Sequence, residues 1–538
     1  MGVKIIDNKI EVITELWNKL YSDNYKLEIL LDFLKSKKDS FTYTPKDKFW
    51  YKKGLVYSTY VDLFAGDFDK MKEKLDYLSN LGVTILWLLP ILQSPMKDQG
   101  FDISDFYKVR DELGGNESFF EFINLAHEKG IKILFDVAIN HTSDEHPWFQ
   151  EAKKSKDSKY RDYYIWSDTD KKYSQARLLF KGMVNSNWTY NPETKDYYFH
   201  RFYEIQPDLN YKNPDVLIEM IKVFTFWKEH GVDGFRMDAA PFLWKEEGTS
   251  CENLIQTHWI LKIFRAALDY LKEGTALIAE ANQPPKDVVA YFGNADECQV
   301  AYHFPVMPKI FLSIAEGAPN YIINTLSERV TPPIPEDCQW FVFLRCHDEL
   351  TLEFVDPEER AKILKYYLLD ERWNFREGEG IAGRLYNQMG KDYKKVLLAY
   401  SILFSLDGTP INYYGDEIGM ENDEEFYKKM TEKIGYKDSR FFNRGPFDEE
   451  KRKEALNIAN SDSYSYKIFH GIKKMLDLKK ENEDLFSEKP IYENIDGVFK
   501  VTRKKANKSI VIYNNLTAES KSLDNITLQP YEYVWKIS

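Results

Sequence analysis

Three short apolar runs in this 538-residue chain end on a carboxylate: G-F-R-M-D at Asp238, L-I-A-E at Glu280 and L-R-C-H-D at Asp348. Acids that close successive apolar strands are in place for chemistry at the C-terminal mouth of a parallel barrel. Arg236 and Asp238 are two apart on one strand, so their side chains share a face. A guanidinium there should lower the carboxyl's pKa and keep it ionised, which suits a nucleophile. Glu280 follows a dry apolar run, which favours the protonated form that a general acid needs. Nucleophile and acid together are what cleavage of a glycosidic bond requires, and on adjacent strand ends they should stand about 5 Å apart. A single such acid could equally be a helix cap or a surface ion pair. Three of them, in register with further motifs, argue against that.

The elements that must position these acids follow a βα rhythm. Residues 8 to 38 have helical apolar spacing, as in E-V-I-T-E-L-W-N-K-L and L-E-I-L-L-D-F-L-K, and T-Y-T-P-K-D-K-F breaks it. From Gly54 the predicted strands are G-L-V-Y-S-T-Y-V, T-I-L-W-L-L-P, I-K-I-L-F-D-V-A, G-F-R-M, A-L-I-A, V-A-Y-H-F, W-F-V-F-L and T-P-I-N-Y. Most are near-continuous apolar runs, as expected where both faces of a parallel sheet are buried. The rhythm stops after strand three, where a long polar and aromatic stretch should be a functional excursion or a small domain. The reading is an α/β chain: a helical extension over 1–48, a (β/α)8 TIM barrel over 49–140 and 214–485, an inserted domain over 141–213, and a C-terminal antiparallel β-sandwich over 486–538.

Composition narrows the partners. A net charge of −13 would repel nucleic acid and anionic membranes. Four cysteines, at 251, 298, 338 and 346, have no C-x-x-C spacing, so neither a zinc site nor a disulfide scaffold is expected. No run of eighteen apolar residues occurs, and M-G-V-K-I-I-D-N-K-I has no long signal-type core, which makes the cytoplasm the default. The expected partner is a small molecule.

In order, spacing and flanking residues, the three acids and their motifs resemble the α-amylase superfamily, glycoside hydrolase family thirteen. D-V-A-I-N-H, Asp136 to His141, resembles its strand-three motif. K-D-Q-G-F-D, ending at Asp102, resembles the loop after strand two. The resemblance implies that His141 hydrogen-bonds the sugar at the cleavage point, that Asp98 grips the non-reducing sugar, and that Phe101 stacks beneath it. It implies that Asp348, with His347 beside it, holds sugar hydroxyls and steadies the transition state. Q-P-D-L-N, Gln206 to Asn210, resembles the branch acting on short α-glucosides, and W-S-D-T-D-K-K-Y, E-G-T-S-C-E-N-L, A-E-A-N-Q and H-D-E-L-T-L-E resemble its trehalose synthase group. The implied function is retaining glucosyl transfer on maltose- or trehalose-type substrates. An enzyme that only hydrolyses α-glucans or oligosaccharides is the alternative, and a non-catalytic relative would be expected to lack the acids.

The chain departs from the pattern at several points. Phe101 stands for the usual Tyr and Cys346 for an Asn, and G-I-A-G-R, Gly380 to Arg384, lacks two arginines. These changes predict a leakier pocket, with glucosyl transfer accompanied by free glucose. D-L-F-A-G-D-F-D after strand one lacks calcium-ligand spacing, so no cofactor is expected. The resemblance does imply that Asn140 and the inserted domain can build a different calcium site.

Overall fold

The computed structural model describes residues 8–41, 47–180 and 182–538. Of the expected break in helical pattern, residues 42–49, the first five lie outside them. Eight parallel strands close a barrel: β1 Val56–Thr59, β2 Ile85–Leu88, β3 Lys132–Ala138, β4 Gly234–Asp238, β5 Ala276–Ala279, β6 Val300–Tyr302, β7 Gln339–Phe343 and β8 Thr409–Tyr413. All eight coincide with the apolar runs to within two residues at each end. Their residues are almost all buried, because the helices cover the outer face while side chains fill the interior.

Register places the chemistry. Asp136 on β3 lies opposite Arg236 on β4, and Ala138 opposite Asp238. Met237 pairs with Ala279 on β5, so the next residues, Asp238 and Glu280, emerge level at the barrel mouth. Ala239 follows in a left-handed conformation, φ 60°. It turns the chain sharply off the strand and aims its N–H at Glu280 Oε2, 3.2 Å away.

After β3 the chain leaves the barrel. Trp166–Ser167, Trp188–Asn191 and Asp196–Phe199 form a small antiparallel sheet over a minor core of Ile165, Tyr173, Trp188 and Phe199. The excursion is stitched shut where His141 bridges Asp208 and Tyr164 bridges Leu209. Two further excursions have no counterpart in the sequence reading. One, between β7 and β8, carries a three-stranded sheet of Leu350–Thr351, Gly380–Ile381 and Asn374–Phe375. The other follows β8 and runs through Ser439–Asn443.

Two N-terminal helices, α1 Asn8–Leu20 and α2 Asn24–Lys37, pack on the helices that precede β4 and β5. Lys26 pairs with Asp215 at 2.6 Å and Lys9 with Asp269 at 3.0 Å. At the other end, Ile491–Ile495, Val498–Lys505, Lys508–Asn515 and Tyr533–Ile537 form an antiparallel sheet. One face joins the main core through Phe499, Val501, Ile510 and Ile512. The other, at Val498 and Tyr513, is covered by Leu523, Ile526 and Leu528 of a second, two-stranded layer. Among the described residues no helix is long and apolar enough to cross a membrane.

Candidate active site

A pocket at the barrel mouth gathers all three strand-end acids with Asp98, Phe101, His141 and His347. Arg236 lies beneath them, fully buried on its strand. It donates from Nη1 to Asp238 at 3.0 Å, and it pairs with Asp136 and, through Nη2, with Glu280. Trp87 Nε1 donates to the other oxygen of Asp136 at 3.0 Å, so the cation is held from below. One guanidinium thus bridges the two candidate catalytic carboxyls.

The expectation that Arg236 lowers the Asp238 pKa and keeps the group ionised is corrected. Burial and the neighbouring Glu280 charge push the Asp238 carboxyl well above the usual carboxylate range, and Arg236 only opposes them. Two carboxyls this close resist carrying two charges, and the cost falls on Asp238.

Asp348 is in the opposite state. Burial raises its carboxyl, but His347, Arg440 and Arg444 outweigh that and hold it well below the usual range. Arg440 Nη1 and Arg444 Nη2 approach Oδ1 at 2.9 and 3.1 Å, and His347 Nε2 approaches Oδ2 at 3.0 Å. Asp438 orients Arg440 through Nη2 at 2.7 Å. Asp348 is therefore a fixed anion. The ring of Phe101 stacks on His347 with centroids 5.5 Å apart. Asp98 accepts from Gln206 Nε2 at 2.8 Å, and burial raises its carboxyl. Its loop is shaped by Asp102, whose carboxylate accepts the backbone N–H groups of Lys97 and Asp98 at 3.0 and 3.1 Å. His141 Nε2 lies 3.3 Å from the same Gln206, and burial lowers its pKa to about 4, so it is neutral at pH 7.

All eight residues singled out in the sequence thus meet in one place. Sequence reasoning missed Arg440 and Arg444, which come from the polar excursion after β8 in S-R-F-F-N-R, with no apolar run to mark them. It also missed Arg177 of the insertion. Arg177 Nε donates to Glu252 at 2.9 Å and Nη1 pairs with Glu353, joining the insertion to the loops after β4 and β7 over the pocket. Neither Ala382 nor Gly383, where two arginines were expected, lines the pocket; Arg177, Arg376, Arg440 and Arg444 do. Cys346 does not line it either. Burial pushes its thiol to about 12, which makes it inert.

The implied calcium site does not fit the residues present. Lys245 Nζ donates to Asn140 Oδ1 at 2.7 Å and lies 2.8 Å from Asp208 Oδ2, all three fully buried. The oxygens a calcium ion would need are bonded to an ammonium, and a second cation there would be repelled. After β1, Asp67 caps the helix Phe68–Leu81 by accepting the Lys70 N–H at 2.8 Å, a structural task.

The family model for the alpha amylase catalytic domain matches residues 33–352. A trehalose synthase/amylase TreS of Mycolicibacterium smegmatis is 46% identical over 387 residues, 70% of this chain and 65% of that protein. The chain thus spans slightly under two thirds of that relative's length. An oligo-1,6-glucosidase of Bacillus cereus is 28% identical, with 90% of this chain and 99% of that protein covered. Among solved structures, an alpha-amylase from H. orenii superposes with a TM-score of 0.70 at 25% identity, covering 90% of this chain and 99% of that one. With these matches spanning the barrel and the strand ends that carry the acids, the chain belongs to the α-amylase family.

Proposed function

We propose that the chain is a retaining glucosyl-transferring enzyme for short α-glucosides of the maltose and trehalose type, with hydrolysis in competition. The observation that carries this reading is Arg177, which ties the insertion to Glu252 and Glu353 over the acids. A roof of that kind makes a pocket for short sugars rather than a groove for a polymer. The resemblance to a trehalose synthase/amylase over most of the chain supports the same reading.

In the proposed reaction an Asp238 oxygen attacks the anomeric carbon while Glu280 gives its proton to the departing glycosidic oxygen. The C–O bond to the second sugar breaks, and a glucosyl ester forms on Asp238. The anionic Asp348 stabilises the positive charge that develops on the ring. Glu280, now ionised, takes a proton from the acceptor hydroxyl, which displaces Asp238. Two carboxyls bridged by one guanidinium support the short separation of a retaining pair. The first-formed glucose should therefore be the α-anomer by proton NMR; β-glucose appearing first would contradict the mechanism.

The acceptor decides the product. Water gives glucose, and the held sugar, re-attacking through another hydroxyl, gives the isomer. Retention works because a held reactant has a high effective concentration. Incubation with maltose, followed by chromatography, should yield trehalose together with substantial glucose. Glucose alone, even at high maltose, would reject transfer; trehalose with almost no glucose would reject the competition. Arg177→Ala should open the roof and raise the ratio of glucose to trehalose by about fivefold, the loss of an advantage of roughly 1 kcal/mol. An unchanged ratio would remove Arg177 from this role.

A further inference from the structure

The pocket's arginines are not equivalent. Arg177 is paired with Glu252 and Glu353, Arg440 with Asp438 and Asp348, and Arg444 with Asp348. Arg376 also lines the pocket, yet among the described residues its guanidinium makes no ion pair and no hydrogen bond. Its Nε is buried without a partner. Glu349 feels its charge but does not pair with it. With no protein acceptor among the described residues, its terminal N–H groups are left to donate to an occupant of the pocket.

The side chain is held for that purpose. Its guanidinium lies over the Phe180 ring at 4.4 Å and over Phe375 at 4.9 Å, a cation–π arrangement that fixes the plane of the fork. Arg376 and Glu377 are consecutive non-glycine residues in the left-handed region, φ 47° and 54°. Backbone of this kind persists only where its surroundings enforce it. Arg376 rides on the strand Asn374–Phe375, and Phe180 on the insertion. Phe202 and Phe242, in edge-to-face contact at 5.7 Å, line the pocket with Phe180 and carry no hydroxyl or charge to grip a sugar. Arg376 and these rings line the same pocket as Asp98, Phe101, His347 and Asp348.

We propose that Arg376, clamped on Phe180, is a specificity-determining residue that donates hydrogen bonds to hydroxyls of the second sugar ring, the one that leaves and is re-attacked. This assignment rests on the proposed glucosyl chemistry, and it holds whether transfer or hydrolysis dominates. Arg376 recognises the neutral hydroxyls of the second ring and is not required for attack on the first.

The test compares a substrate with a second ring and one without: maltose and α-glucosyl fluoride. Arg376→Gln shortens and neutralises the donor. Arg376→Gly removes it while permitting the left-handed backbone, so the loop is not put at risk. Both variants should lose at least tenfold more kcat/KM on maltose than on the fluoride, chiefly through KM, and Arg376→Gly should melt no lower than the parent. Equal loss on the two substrates, or no loss on maltose, would overturn the proposal. If the parent makes glucose alone from maltose, the transfer reading fails, yet the ratio between substrates still reads Arg376. If the parent cleaves neither substrate, the glucosyl chemistry beneath the proposal fails, and Arg376's assignment falls with it.

Discussion

Asp238→Asn is expected to lower turnover on maltose by about four powers of ten or more, a loss of roughly 5 kcal/mol of transition-state stabilisation. The amide that replaces the carboxylate is a poor nucleophile. Glu280→Gln should cost about a thousandfold on maltose but far less on an activated aryl glucoside, which leaves without a proton. The raised Asp238 carboxyl adds a signature. Glu280 is the main charge raising the Asp238 carboxyl, so its removal should lower the pKa of the nucleophile. The acid limb of the rate profile on the aryl glucoside should then move to lower pH in Glu280→Gln. An unmoved acid limb would uncouple the two groups. Parent-like activity of either variant on maltose would end the assignment.

What the sequence revealed about this site followed the physics of strands. Apolar runs buried on both faces are visible as runs, and an acid that ends one is conspicuous, so Asp238, Glu280 and Asp348 were legible. Asp98 and Phe101 were legible only through resemblance, because a polar loop after β2 has no pattern of its own. Arg440 and Arg444 were hidden for the same reason, far along the chain in an irregular stretch after β8. The Asp238 pKa was misjudged because Arg236 was visible two residues away, whereas the opposing causes, burial and Glu280, exist only once β4 and β5 pair. Likewise, losing arginines at Ala382 and Gly383 suggested a leakier pocket, although cations from three other segments line it. Fold and acids are thus local in the sequence; the electrostatics around them are not.

Lys245 carries the remaining large expected effect. Its ammonium stands between Asn140 and Asp208, buried with both. Asp208 also accepts the Arg201 N–H at 2.9 Å and bridges His141 across the base of the insertion. A cation here therefore fixes the join between the insertion and the strand that ends in His141. Because that cation is part of the chain, EDTA should leave the parent's activity and melting temperature unchanged. A drop of several degrees with EDTA, reversed by calcium, would refute this. Lys245→Met should cost roughly 3–5 kcal/mol, since it strands the Asp208 carboxylate in the interior. The double variant Lys245→Met with Asp208→Asn removes both charges and should recover much of that loss, as a coupled pair requires. Calcium should then raise the melting temperature of Lys245→Met, where the oxygens are freed, and leave the double variant unmoved. If the two single substitutions simply add, the ammonium is not the brace that holds the insertion to the barrel.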